Sequence, residues 1–149
     1  MRLTDSFAHL HVHSEFSMLD GAARVKDVVK AVRADGQPAV AITDHGVMYG
    51  VVDFVRAAKA EGVKPIIGIE AYLTPGNRFD RPPRRDDVRY HMTILAENDV
   101  GYRNLMQLAS RAYSEGYYYK PRMDRELLAE YAEGLIATTG CLGGHVPQL

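Results

Sequence analysis

Cysteine is nearly absent from this chain: Cys141 is the only one among 149 residues. A single thiol excludes an intrachain disulfide and favours a reducing, cytoplasmic setting. Charge of one sign is also missing, since 18 basic residues face 19 acidic ones and the pI is near 6.6. No general field therefore draws the molecule onto nucleic acid, and any phosphate recognition has to be local. No signal-like stretch, membrane-length apolar run or internal repeat occurs, so a membrane partner is not expected. The only biased segment is an Arg/Asp/Pro stretch around residues 78–89. What is present suits one globular domain, because 46% hydrophobic residues at this length can fill a core.

The stretch Phe7-Ala8-His9-Leu10-His11-Val12-His13-Ser14 alternates imidazoles with small apolar residues at the period of a β-strand. In a strand His9, His11 and His13 share one face. One such histidine is ordinarily a hydrogen-bonded core or surface residue. Two or three on one face, followed by Ser14, Glu15 and Asp20, point instead to a metal site. Imidazole with carboxylate suits Zn, Mn or Fe better than Ca or Mg.

Further along, Val25, Val28, Val29 and Val32 form a helical stripe over 22–35, preceded by Asp20-Gly21 and stopped by Gly36. The apolar run 39–43 reads as a strand buried on both faces and ends in Asp44-His45-Gly46. A helix over 51–61, closed by Gly62, leads to a strand over 64–69 that ends in Glu70. This βαβαβ order predicts a parallel sheet with right-handed crossovers. His11, His13, His45 and Glu70 then all lie at carboxyl ends of strands, on the rim where α/β folds build their sites. His91 opens the next strand, 91–96, and does not fit that rim rule simply.

Residues 74–89 read as a solvated loop whose arginines could alternatively grip phosphate. A helix over 101–114 follows the capping candidates Asn98 and Asp99. The segment Tyr117-Tyr118-Tyr119-Lys120-Pro121-Arg122 could stack bases and touch phosphates, or fold onto the surface. A helix over 123–133 with Asp124 as N-cap and a strand over 135–139 bring the chain to Cys141, either a small buried residue or a thiolate ligand. Asp44 could orient a ligand from behind or cap the following helix.

The ordered set His11-Val12-His13-Ser14, Leu19-Asp20-Gly21, Thr43-Asp44-His45-Gly46, Ile67-Gly68-Ile69-Glu70, Tyr90-His91 and Thr139-Gly140-Cys141-Leu142-Gly143-Gly144 resembles the polymerase and histidinol phosphatase (PHP) family. Within it, the chain is most similar to the branch at the amino terminus of bacterial replicative polymerases. The resemblance implies a distorted (β/α)7 TIM-like barrel with two to three divalent metals (Zn, Mn or Fe, with Zn favoured) at its rim. It implies nine ligands, of which His11, His13, Asp20, His45, Glu70, His91 and Cys141 match here. The family's last Asp and His have no counterpart before Leu149, so residues 1–149 are expected to be one PHP domain in its amino-terminal part, weakly active or inactive alone. His9 is left as a buried strand residue and His145 as a free loop imidazole.

The activity implied is 3′–5′ exonucleolytic proofreading at a DNA primer end, in the company of the rest of a polymerase chain and other replisome subunits. A scaffold that braces the polymerase and binds a separate exonuclease is the competing expectation. A free-standing phosphoesterase acting on a small monoester is a third.

Overall fold

The structure, a computed structural model, describes residues 7–149. Its elements are α1 (Val25–Ala34), β1 (Ala39–Ile42), α2 (Val51–Glu61), β2 (Lys64–Leu73), β3 (Tyr90–Ala96), α3 (Asp99–Ser114), β4 (Tyr117–Tyr118), β5 (Lys120–Met123), α4 (Arg125–Glu130) and β6 (Leu135–Thr138). The sheet is built on β2. One edge of β2 receives β1 in parallel along Lys64–Ile67, then β5 in parallel at Tyr72 and Leu73. The other edge receives β3, antiparallel along Gly68–Leu73, and β3 in turn receives β6, also antiparallel.

The parallel pairing expected from the βαβαβ order holds for β1 and β2, and the sheet turns antiparallel at β3. Parallel neighbours need a crossover element, usually a helix, and residues 74–89 contain only a single 3-10 turn at Arg84–Asp86. The chain can therefore only fold back along the strand it has just left. Because β3 is reversed, β6 again runs with β2. Among the described residues no strand joins β6 to the far edge beyond β1, so the sheet is open and mixed, and closure into a barrel is not seen.

Two apolar clusters hold the layers. Val25, Val29 and Val32 of α1 and Val51, Phe54 and Ala58 of α2 cover Val40 and Ile42 of β1. Leu105, Leu108 and Ala112 of α3, with Met123 and Leu127, cover Ile69, Ala71 and Ile94. The two-residue period of β2 then turns Glu70 and Tyr72 to the opposite face, away from α3. Asn98 caps α3, accepting from the N–H groups of Val100 and Gly101, and Asp124 caps α4 by accepting from that of Leu127. Helix α4 starts later than the expected 123 because Met123 is still paired to Leu73 in the sheet.

The histidine stretch is extended but is not a regular strand. It makes an isolated bridge from His9 to Val40, and the N–H groups of Ala41 and Thr43 donate to the carbonyls of His9 and Val12. The N–H of Val12 goes to the Thr43 hydroxyl and that of Ser14 to the Asp44 carboxylate. Side chains replace the carbonyls a ladder would use. His9 is exposed against Phe7, not buried.

The loop 74–89 is likewise not simply solvated. Arg78 is buried, with Nε 2.6 Å from Glu115 and Nη1 3.0 Å from Asp124. Arg122, fully enclosed, donates to the carbonyls of Arg78, Asp80 and Gly116 and to Asp87. Arg85 and its neighbours in the 3-10 turn remain exposed. Composition reads as solvated because the partners lie far along the chain.

Burial works against ionisation of Asp124, but the N–H groups of Leu127 and Arg78 and the Arg78 guanidinium outweigh it and hold its carboxyl below the usual 3.8. A depressed carboxyl stabilises the fold above its unfolded value and loses that contribution as pH falls through the folded one. Stability is therefore expected to fall as pH drops below 3.8. Asp124→Asn should flatten that acid limb in denaturant titrations; an unchanged limb would remove Asp124 from the account.

Candidate metal centre

Glu70 is the centre of the site. Its side chain is almost wholly buried in mid-β2, and its two carboxylate oxygens meet four imidazoles. Oε1 lies 3.2 Å from His11 Nε2 and 3.1 Å from His91 Nδ1. Oε2 lies 2.9 Å from His13 Nε2 and 2.7 Å from His45 Nδ1. Asp20 sits on the solvent side, with Oδ2 2.8 Å from His45 Nε2 and 3.4 Å from His13 Nδ1. Cys141 Sγ is 3.4 Å from His91 Nδ1 and 3.5 Å from Glu70 Oε1.

The reversal of β3 explains His91. Its cross-strand partner is Tyr72, two residues beyond Glu70, so the start of an antiparallel strand falls at the same rim as the carboxyl ends of parallel ones. The second reversal, at β6, carries Cys141 there as well. His45 bridges directly to Glu70 as the continuation of the β1–β2 register. All seven residues singled out from the sequence meet at one place.

Three overlapping groups of donor atoms form, each within 4.8 Å: His11, His13 and Glu70; His13, Asp20 and His45; His45, Glu70 and His91. The innermost atoms carry the sharpest signal. His13 Nε2, His45 Nδ1 and Glu70 Oε2 are buried and make no hydrogen bond, although they lie at ion-pair distance. Both imidazole nitrogens lie within 2.9 Å of that one carboxylate oxygen. A buried polar atom without a partner is costly, and His13, His45 and Glu70 each belong to two of the three donor groups, so cations held by those groups would meet these residues. The donor set fits a divalent metal.

The charges are mutually held. Burial opposes ionisation of Glu70, yet His13 and His45 outweigh it and keep the carboxyl well below its usual range. His45 is raised above 6.5, first by Glu70 and then, against burial, by Asp20. Burial lowers His11, with Glu70 pushing back. His45 beside Asp20 lowers that carboxyl. A metal would need His45 as the neutral imidazole, so metal affinity is expected to fall as pH drops.

Asp44 neither touches a ligand imidazole nor caps α2, whose N-cap is Gly50 without a side-chain bond. Buried, it accepts from the N–H and hydroxyl of Ser14 and the hydroxyl of Ser17, each at 2.7 Å. It clamps the turn between His13 and Asp20. Gly21 closes the same turn, where a Cβ would meet the Ser14 carbonyl oxygen at 2.0 Å. Asp44→Asn places an amide donor against donors and is expected to lower metal affinity about 10- to 100-fold with the fold retained. Metal titration checks this; unchanged affinity would reduce Asp44 to ordinary packing.

Glu15 turns instead to the start of α1, and His145 stacks on Tyr90 at 4.5 Å. Tyr72, which the sequence did not mark, packs beside the rings of His45, at 5.9 Å, and His91, at 5.3 Å, which are themselves 5.5 Å apart. Burial, helped by the charges of Glu70 and Asp20, pushes its phenol up to about 12. Its place two residues after Glu70 was the available signal. No helix is long and apolar enough to cross a membrane among the described residues.

Comparison with known proteins bears on the family and the fold. The PHP domain model matches residues 9–149. The DNA polymerase III subunit alpha of Thermus aquaticus is 54% identical over 146 residues, covering 95% of this chain and 12% of that protein. The subunit alpha of Treponema pallidum is 53% identical, covering 97% of this chain and again 12% of the relative. The chain thus spans about an eighth of the length of these relatives. Among solved structures, an amidohydrolase from Chromobacterium violaceum aligns with TM-score 0.52 at 22% identity, over 72% of this chain and 33% of that one. A putative metal-dependent phosphoesterase from Bifidobacterium adolescentis aligns with TM-score 0.51 at 21% identity and the same coverage. Motifs, fold and near-complete matches together lead to one conclusion: this chain belongs to the PHP family, in the form that DNA polymerase III alpha subunits carry.

Proposed function

We propose that the chain is a metal-dependent phosphodiester hydrolase domain of a replicative DNA polymerase, acting as a 3′–5′ proofreading exonuclease on the primer end. The carrying observation is that His13, His45 and Glu70, each shared by two of the three donor groups, hold buried, unpartnered donor atoms. His11, His13, Asp20, His45, Glu70 and His91 would hold two to three divalent ions, with Cys141 as a softer donor and zinc favoured over manganese or iron. Such ions would supply an acidified water and charge stabilisation for a leaving 3′ oxygen.

The protein's own residues orient and hold. Glu70 places one buried carboxylate within 3.2 Å of four imidazoles, so ions held by several of them would share it. His45 would serve as a donor in its neutral form, and Asp20, exposed at the rim, would close the outer side. Asp44 keeps the turn between His13 and Asp20 in place. The open sheet would be an arc of a distorted (β/α)7 barrel, and residues 1–149 the amino-terminal part of a single PHP domain. The partners would be the primer 3′ end, the rest of the polymerase chain and other replisome subunits, in the cytoplasm. A scaffold that only braces the polymerase has no need of a converged donor set, which favours the enzyme.

In the parent polymerase with its native metals, His11→Ala combined with His13→Ala should abolish shortening of a primer from its 3′ end while polymerisation survives. Elemental analysis should find two to three ions per wild-type chain. Undiminished degradation by the double variant, or a wild-type metal content near zero, would sink the proposal.

A further inference from the structure

The metal-ligand wall faces a cleft of about 600 Å³, within the range of small-ligand pockets. Asp20, His45 and His91 line one side; Arg89 and Lys120 line it as well, together with Tyr72. Arg89 precedes His91 by two residues, so an extended backbone aims both side chains the same way. Its Nε is 3.4 Å from Asp87, but Asp87 is already engaged by buried Arg122 at 3.2 Å. Two guanidiniums on one carboxylate leave a net positive charge. Lys120 Nζ has no carboxylate within ion-pair distance among the described residues and lies 5.3 Å from the centre of the Tyr72 ring. The ammonium and the imidazoles of His45 and His91 thus gather around one ring, that of Tyr72. Tyr49 and Tyr113 are exposed in the same cleft.

A monophosphate ester presents one phosphate, which the ions themselves would neutralise. Lys120 beside the Tyr72 ring and Arg89 in the same cleft are two further cations that match a second phosphate, and exposed tyrosine faces suit stacked bases. From this charge pattern, and resting on the hydrolase reading above, we infer that Arg89 and Lys120 are positioning residues that hold the backbone phosphate next to the scissile one. The site then selects a polynucleotide end over a small phosphate monoester. The grip acts through placement and leaves the ligand set untouched.

The test uses the full polymerase chain and a fluorescent oligothymidylate with an uncleavable 3′ phosphorothioate, bound in EDTA and again after metal loading. Because the polymerase channel also binds DNA, the oligonucleotide is compared with a competitor duplex that occupies that channel. Arg89→Ala and Lys120→Ala should each weaken the competitor-resistant binding roughly fivefold and lower its salt slope by about one. Metal content and thermal midpoint should stay at wild-type values, and Lys120→Arg should restore the salt slope. Unchanged binding by both alanine variants, or weaker binding with an unchanged salt slope, overturns the grip even if primer shortening persists. If the wild type binds through Arg89 and Lys120 but never shortens a primer, the grip stands and the nuclease reading fails.

Discussion

Glu70→Gln is expected to remove most of the bound metal and to lower 3′ shortening more than about 100-fold, a larger loss than changing a group behind the ligands causes. The reason is geometric. One carboxylate meets His11, His13, His45 and His91 within 2.7 to 3.2 Å, so each donor group that could hold an ion either uses Glu70 or shares an imidazole with one that does. An amide keeps the shape but turns one oxygen into a donor, which repels a cation and leaves fewer lone pairs. A readout independent of activity follows from His45, whose pKa Glu70 raises more than any other group does. In metal-free protein the His45 titration seen by NMR should move down in the variant. A Gln variant with its full metal complement and unshifted His45 would place the ions elsewhere.

The second large effect is on stability. Arg122 is fully buried, and its guanidinium serves three carbonyls and Asp87. Arg122→Ala leaves that buried carboxylate with a weaker partner and the carbonyls of Arg78, Asp80 and Gly116 with fewer donors. Breaking a buried pair from one side costs about 3–5 kcal/mol, and the loop 74–89 should loosen with it. Denaturant unfolding gives the cost; faster hydrogen exchange across residues 78–87 gives the location. Arg122→Lys keeps the charge but not the planar fork, and should recover only part of the loss. A cost under about 1 kcal/mol would show that the loop is held by something else.

Much of the site is legible in the amino-acid sequence. His11, His13, His45 and Glu70 stand out as metal-type side chains at strand ends, with Cys141 after another; the family resemblance adds Asp20 and His91, and the fold brings all seven together. The valine stripe of α1, the limits of α2 and the caps Asn98 and Asp124 follow from local periodicity and capping chemistry, which act over a few residues. His91 is the exception, because its place depends on strand direction. Local pattern identifies a strand but carries no sign for its direction. The short, helix-free connection at 74–89 is the clue, and it needs the topology to be read.

The same boundary separates the readings that change. The histidine stretch looks like a strand because its apolar alternation is real, but Thr43 and Asp44 supply its partners from a segment about thirty residues on. Arg78 and Arg122 look solvated because charged residues usually are, while their carboxylates and carbonyls come from distant turns. Arg89 and Lys120 lie in segments whose composition already allowed phosphate contact, but only the cleft they share with Tyr72 singles them out from their neighbours. By itself the sequence determined the helices, most of the longer strands and which residue types could bind a metal, since propensity, period and ligand chemistry are local. Only the tertiary structure decided that β3 runs backward, that Glu70 is the hub of four imidazoles, and which charges are buried, since those depend on what distant residues place beside them.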